Sequence, residues 1–299
     1  MRIDSHKISL IEKRIDAAYR LLSSCRLCPR RCEVDRTKGE VGYCKSGLDV
    51  RISSSNLHFG EEPPISGFRG SGTVFFTGCN LGCIYCQNYP ISHLRHGNDV
   101  SVAELASILL KLQQEGAHNI NLVTPTHFSP QIMNALLTAY KSGLYIPIVY
   151  NCGGYEPVEM LRLWDGIIDI YMPDMKYSDP AMSKKFSGAP DYPDKNKAAV
   201  KEMYRQVGDL MIDNDGIAKK GLLIRHLVLP EDVAGSQSIL KFIAEQLSKN
   251  TYISLMRQYF PAYMAISDKI INRRITEEEY NEAMKWIDFY NLKRGWIQT

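Results

Sequence analysis

Thr73-Val-Phe-Phe-Thr77, followed at once by Gly78-Cys79-Asn-Leu-Gly82-Cys83-Ile-Tyr85-Cys86, is the stretch from which the rest of the chain is read. The first five residues form an apolar run with β-branched and aromatic side chains, the make-up of a buried strand. Three cysteines follow on the loop directly after it, at the spacing C-x3-C-x2-C. Three thiolates on one loop can ligate three irons of a cubane cluster and leave the fourth iron without a protein ligand. That open position is one a cofactor or substrate can chelate. Gly78 and Gly82 supply the backbone freedom to wrap the loop. Zinc suits such a loop poorly, because no fourth ligand stands nearby.

Working outward, apolar runs alternate with helical patterns from Gly72 onward. Strands are expected at 73–77, 119–124, 147–150, 167–172, 222–229 and 252–256. Between and after them, helices are expected at 102–115, 130–141, 156–164, across most of 178–208 with a break near 188–193, at 236–249 and at 276–290. Six strand–helix repeats predict an α/β protein, a (β/α)6 partial barrel, closed or partly open, with its site at the C-terminal ends of the strands. Upstream, 8–22 carries an apolar stripe at helical spacing, 48–59 reads as extended, and 60–72, rich in Gly and Pro, reads as a linker. The expected division is an N-terminal helix and four-cysteine segment at 1–60 and the main domain at 61–299.

The chain has 299 residues, 44% apolar and 23% charged, with a formal net charge of +3. This is an ordinary globular composition and argues against a dedicated nucleic-acid or membrane binder. There is no 18-residue apolar run and no apolar signal-peptide core at the start, so a cytoplasmic protein is expected. Eight cysteines are present and seven fall in two tight groups. In a reducing compartment that grouping reads as metal binding, not as a disulfide framework. The first group, Cys25, Cys28, Cys32 and Cys44, completes either a tetrahedral zinc site or an all-cysteine iron–sulfur site. The short segment with a single site favours zinc. Arg26, Arg30, Arg31, Arg36 and Lys38 make this segment basic, a solvated face or a dock for an acidic partner or RNA.

The motif C-x3-C-x-aromatic-C after the first strand resembles the radical S-adenosylmethionine (SAM) superfamily. Across nearly the whole chain the similarity is strongest to the pyruvate formate-lyase-activating-enzyme-like group, in particular its PflX-type members. It is carried by 70–88, by Cys25-Arg-Leu-Cys28-Pro-Arg-Arg-Cys32, by Asn151-Cys-Gly-Gly-Tyr155 and by Met172-Pro-Asp-Met-Lys176. The resemblance implies a [4Fe–4S] cluster on Cys79, Cys83 and Cys86 whose open iron binds SAM. Reductive cleavage of SAM would then give methionine and a 5′-deoxyadenosyl radical that removes hydrogen from a substrate. It places Tyr85 near the adenine, and Asp174 and Lys176 against the zwitterionic methionine part. Two residues apart on an extended strand end, these two share a side.

The chain departs from the group after the second strand. Where the activating enzymes carry Gly-Gly-Glu against the SAM amino group, this sequence has Thr124-Pro-Thr-His-Phe128. Thr124, Thr126 and His127 are the polar candidates for the same contact, and Asn151 is a candidate for SAM or substrate. Cys152 reads as a packing residue. Arg225 and His226 sit on the fifth strand, where alternation turns one of them inward, and the choice stays open. Arg257, Gln258 and Tyr259 follow the sixth strand, where substrate contacts occur. The resemblance further implies an electron donor such as flavodoxin or ferredoxin. In one version the substrate is a protein, a glycyl residue of a partner enzyme. A small metabolite, a peptide or an RNA nucleoside is an alternative substrate, and a non-catalytic iron–sulfur and zinc binding module is an alternative class.

Overall fold

The computed structural model describes residues 4–298. Its strands are β1 (Val50–His58), β2 (Ser71–Phe76), β3 (Asn98–Val100), β4 (Ile120–Val123), β5 (Ile148–Cys152), β6 (Ile170–Pro173), β7 (Met211–Ile212), β8 (Ala218–Leu227), β9 (Tyr252–Met256) and β10 (Gly295–Ile297). They lie in the order β10-β9-β8-β6-β5-β4-β2-β1-β3, with β7 paired to β8. From β2 through β10 the neighbours along this path run parallel. β1 pairs antiparallel with both β2 and β3. The two ends of the order, β10 and β3, do not meet, so the sheet is an open barrel.

The six expected strands are β2, β4, β5, β6, β8 and β9. Their runs are legible because strands of a helix-covered parallel sheet are apolar on both faces: β5 and β6 are buried at every residue. Two elements add to the expectation. Gly295–Ile297 is a seventh parallel strand, too short to carry a pattern of its own, and Asn98–Val100 extends the other edge by pairing antiparallel with β1, the stretch expected to be extended.

The helices start where their caps dictate. Val102–Gln114 and Glu277–Phe289 both open on a capping box, Ser101 with Glu104 and Thr276 with Glu279, which satisfies orphan N–H groups at the first turn. The N-terminal helix Ser5–Arg20 buries Ile11 and Ala18 and packs on Ser129–Lys141. Lys7 ties it to the main body through Asp169 at 2.6 Å.

The segment 60–72 is not the linker expected from its Gly and Pro. It carries the short helix Pro63–Ser66 and drives Ile65 into an inner cluster with Val149, Met172 and Leu223. It thereby plugs the N-terminal end of the barrel. An open parallel barrel needs such a plug, because its inward side chains are otherwise wet at one end. All eight cysteines are free thiols. Among the described residues no helix is long and apolar enough to cross a membrane.

Candidate functional site

At the C-terminal ends of the parallel strands a cavity of about 210 Å³ opens, and Cys79, Cys83 and Cys86 line one side of it. The loop bearing them leaves β2 through Gly78, whose φ of +81° belongs to the left-handed region. A Cβ on Gly78 would stand 2.8 Å from the Cys44 carbonyl oxygen, so the four-cysteine segment packs directly on this turn. Each thiol has a donor aimed at it: the Leu81 N–H at Cys79 Sγ (3.3 Å), the Ser187 hydroxyl at Cys83 Sγ (3.1 Å) and the Ser92 hydroxyl at Cys86 Sγ (3.1 Å).

Burial and the neighbouring Cys83 push the Cys79 thiol up to about 12, and burial raises Cys86 as well. Without a cation the Cys79 and Cys86 thiols keep their protons at neutral pH; a metal replaces the proton and stabilises the thiolate. Among the described residues no three His, Cys, Asp or Glu side chains close on a single metal-ion point. The three thiols line one shared cavity.

The opposite side of the cavity is charged. Asp174 follows β6, and its backbone pairs as an isolated bridge with Arg225 of β8. Arg225 Nε donates to Asp174 Oδ1 (2.9 Å), and its Nη2 donates to Asn151 Oδ1 (2.9 Å). Lys176 Nζ donates to Asp174 Oδ2 at 2.7 Å. Burial pushes the Asp174 carboxyl up, but Arg225 and Lys176 outweigh it and hold it below the usual carboxylate range. Burial opposes the Lys176 charge, yet Asp174 and the Cys83 sulfur keep the ammonium protonated above its ordinary value. Beneath this layer Glu61, from the plug, accepts from Asn121 at 3.0 Å and meets Arg225 at 3.4 Å.

Of the residues singled out in the sequence, Tyr85, Thr124, Asn151, Asp174, Lys176 and the three cysteines all line the cavity. Tyr85 is set edge-on to Tyr177 and Tyr259. Thr124 has a φ of +59°, an outlier for a β-branched residue and a form of strain that clusters at functional sites. Thr126 and His127 face away from the cavity. The Thr126 hydroxyl donates to Glu156 at 2.7 Å, and His127 Nε2 pairs with the Thr77 carbonyl at 2.7 Å. Burial holds the His127 imidazole down at about 4, so it is neutral. The reason is local: Thr126–Phe128 is a turn of 3-10 helix, which rotates successive side chains by about a third of a turn and points these two into the core.

The open choice on β8 resolves to Arg225. His226 faces outward and is buried, with its ring nitrogens on the Met175 carbonyl and the Ser236 hydroxyl. After β9, Gln258 lines the cavity, while Arg257 pairs with Glu277 and Tyr259 donates to the Ile271 carbonyl. Sequence reasoning missed Glu61 and Glu156. Glu61 was hidden in a Gly/Pro stretch. Glu156 precedes a helix and is fully enclosed by Thr126, Tyr150 and Cys152; burial raises its carboxyl to about 8 against their hydrogen bonds. The four N-terminal cysteines share one neighbourhood: the Cys28 thiol is raised by burial and by Cys44, Cys25 and Cys32 beside it.

Residues 73–214 match the Radical SAM superfamily model. An uncharacterized protein of Methanocaldococcus jannaschii is 31% identical over 296 residues, covering 96% of this chain and 80% of the relative. Among solved structures, a radical SAM methyltransferase from Sphaerobacter thermophilus shares the fold at a TM-score of 0.53 and 13% identity, over 76% of this chain and 66% of that one. A domain of pyruvate-formate lyase-activating enzyme from Bacteroides vulgatus ATCC 8482 aligns at a TM-score of 0.38 and 16% identity, over 73% of this chain and 99% of that one. The cysteine loop at the mouth of an open parallel barrel thus finds its family: the chain belongs to the radical SAM superfamily, which implies a [4Fe–4S] cluster and SAM as its cofactors.

Proposed function

We propose that Cys79, Cys83 and Cys86 hold the [4Fe–4S] cluster, and that Asp174 and Lys176 receive the ammonium and carboxylate of the methionine part of SAM. The observation that carries this reading is the placement of three thiols and one fixed carboxylate–ammonium pair on facing walls of a single cavity. When bound, the cluster supplies the electron that cleaves SAM to methionine and a 5′-deoxyadenosyl radical, the hydrogen-abstracting species. The chain's own residues bind and dry the site. Arg225 fixes Asp174 so that its carboxylate stays ionised and aimed, Thr124 and Asn151 add polar contacts, and Tyr85 offers a ring face to the adenine. The aromatic packing of Tyr85, Tyr177 and Tyr259 beside the loop keeps out water that would quench a radical.

The substrate reading is a protein, a glycyl residue of a partner enzyme. The segment after β9 supports a macromolecular substrate. It is stapled to the cysteine loop by Met264 N and Ala265 N on the Ile84 carbonyl, and it exposes Phe260, Met264 and Ile266 as an apolar rim near the mouth. Flavodoxin or ferredoxin is the expected class of electron donor, and zinc the expected metal of Cys25, Cys28, Cys32 and Cys44.

The test is anaerobic reconstitution with iron and sulfide, addition of SAM and a strong reductant, and quantitation of 5′-deoxyadenosine and methionine. Both products are expected from the wild-type chain, and neither from Cys83→Ala, which also loses its visible iron–sulfur absorbance. Unchanged cluster content in Cys83→Ala refutes the site. A loaded cluster that yields no product with SAM alone or with added cell extract refutes the activity. Iron retained by a Cys79/Cys83/Cys86→Ala triple variant rules out zinc at the N-terminal site.

A further inference from the structure

Arg30 lies between Cys28 and Cys32 and reaches out of the four-cysteine segment onto the cysteine loop at the cavity. Its Nε donates to the Asn80 carbonyl at 2.9 Å and its Nη2 to the Leu81 carbonyl at 3.0 Å. Nη2 also meets the Ser187 carbonyl at 2.8 Å, and Nη1 the Gly188 carbonyl. The guanidinium lies over the Tyr43 ring at 3.8 Å and near the Tyr155 ring at 5.5 Å, and the Tyr43 hydroxyl donates to the same Leu81 carbonyl at 3.2 Å. Four carbonyls and two aromatic rings thus hold one guanidinium.

The carbonyls it holds are informative. In a trans peptide the C=O and the following N–H point in opposite directions across one plane. The far side of the Asn80 carbonyl is the Leu81 N–H, which donates to Cys79 Sγ at 3.3 Å. The far side of the Leu81 carbonyl is the Gly82 N–H, which is turned toward Cys79 and favours its negative sulfur, while the Leu81 N–H is the one at hydrogen-bond distance. Gly82 can turn this way because its φ is +68°, and a Cβ there would lie 2.5 Å from the Tyr43 hydroxyl. One fork therefore grips two successive peptides whose other ends face one sulfur. It also holds the backbone of Ser187, whose hydroxyl donates to Cys83 Sγ.

We infer that Arg30 is a positioning residue for the cluster: by holding the Asn80 and Leu81 carbonyls it aims two N–H groups at the Cys79 sulfur, and so raises the reduction potential of the cluster bound there. This rests on the ligand set proposed above. Hydrogen bonds to cluster sulfurs and nearby positive charge stabilise the reduced, more negative cluster. A carbonyl bonded to a cation also polarises its own peptide and strengthens the N–H on the far side. Lysine cannot replace the fork, since a point donor neither spans two carbonyls nor stacks in the same way.

The experiment is an EPR-monitored redox titration of the reconstituted full-length chain as wild type, Arg30→Ala and Arg30→Lys, with iron and sulfide counted for each. At the potential that half-reduces the wild-type cluster, the reduced-to-oxidised ratio is expected to fall about tenfold in Arg30→Ala, about 59 mV for a one-electron couple. Arg30→Lys is expected to lie between the two. A purely structural staple would lower melting temperature or iron content and leave the potential of loaded chains in place. Unchanged or higher potentials in loaded variants overturn the inference. Where Arg30→Ala does not retain its cluster, Arg30→Lys decides by the same criterion. A wild-type chain that takes up no cluster would fail at the ligand set itself, a result distinguishable from any shift among loaded variants.

Discussion

Replacing Arg225 with Met tests whether the charged wall of the cavity is held by one cation. Arg225 bonds Asp174 Oδ1 and Asn151 Oδ1 at 2.9 Å and meets Glu61 at 3.4 Å. Its side chain is 19% exposed, against 11% for Asp174 and 8% for Glu61. Met fills similar volume without charge. Asp174 would keep Lys176 at 2.7 Å, but Glu61 would be left with only the amides of Asn121 and Asn151, a nearly uncompensated buried carboxylate. Breaking a buried ion pair on one side costs about 3–5 kcal/mol; with a fifth of the arginine in contact with solvent, the lower end, about 3 kcal/mol, is expected. Urea unfolding of the cluster-free chain at pH 7, with m unchanged, reads this out. The Glu61→Gln/Arg225→Met double variant should recover at least about 1 kcal/mol of the loss, because the orphaned charge is gone. The pH dependence has a definite sign. A carboxyl depressed in the folded state adds stability above its unfolded value, about 3.9, and loses it as pH falls through the folded value. The share of the Arg225→Met deficit that comes from Asp174, whose carboxyl Arg225 holds low, should therefore be full above pH about 4 and shrink below it. A loss under about 1 kcal/mol at pH 7, or a deficit as large at pH 2 as at pH 7, would refute the reasoning.

Three further outcomes are expected. Glu156 is raised by burial to about 8, so the folded state holds a proton that the unfolded state has released; stability should fall by about 1.4 kcal/mol per pH unit between roughly pH 5 and 8, and Glu156→Gln should flatten that slope in urea midpoints measured across the range. Gly82→Ala meets both a left-handed backbone and the Tyr43 hydroxyl, and should lose about 1–3 kcal/mol of stability together with cluster retention in iron assays; Tyr43→Phe in the same chain should restore part of the retention, and no effect of Gly82→Ala would contradict the packing described. Arg36, 1% exposed, donates to the Gly47 and His127 carbonyls; Arg36→Ala orphans both and should cost about 2–4 kcal/mol and open 37–49 to limited proteolysis, with wild-type cleavage kinetics as the contrary result.

By itself the sequence determined the six parallel strands, the cysteine loop at the end of the first, and the Asp174–Lys176 pair. The first two are written in local periodicity or spacing: doubly buried strands are continuous apolar runs, and three cysteines on one loop need no distant partner to be recognised; the pair is singled out by the family resemblance. What the tertiary structure decided depends on contacts distant in sequence. Glu61 reaches Arg225 across 164 positions, which no local pattern in a Gly/Pro stretch announces. Alternation says that Arg225 and His226 point opposite ways, but the phase is set by the register of β8 against Asp174. Thr126 and His127 are polar residues in the expected place, yet a 3-10 turn directs them into the core. Arg30 is one basic residue among five in its segment; only the fold lays its fork on the carbonyls behind Cys79, because planar, multidentate recognition is a property of three-dimensional geometry that composition does not carry.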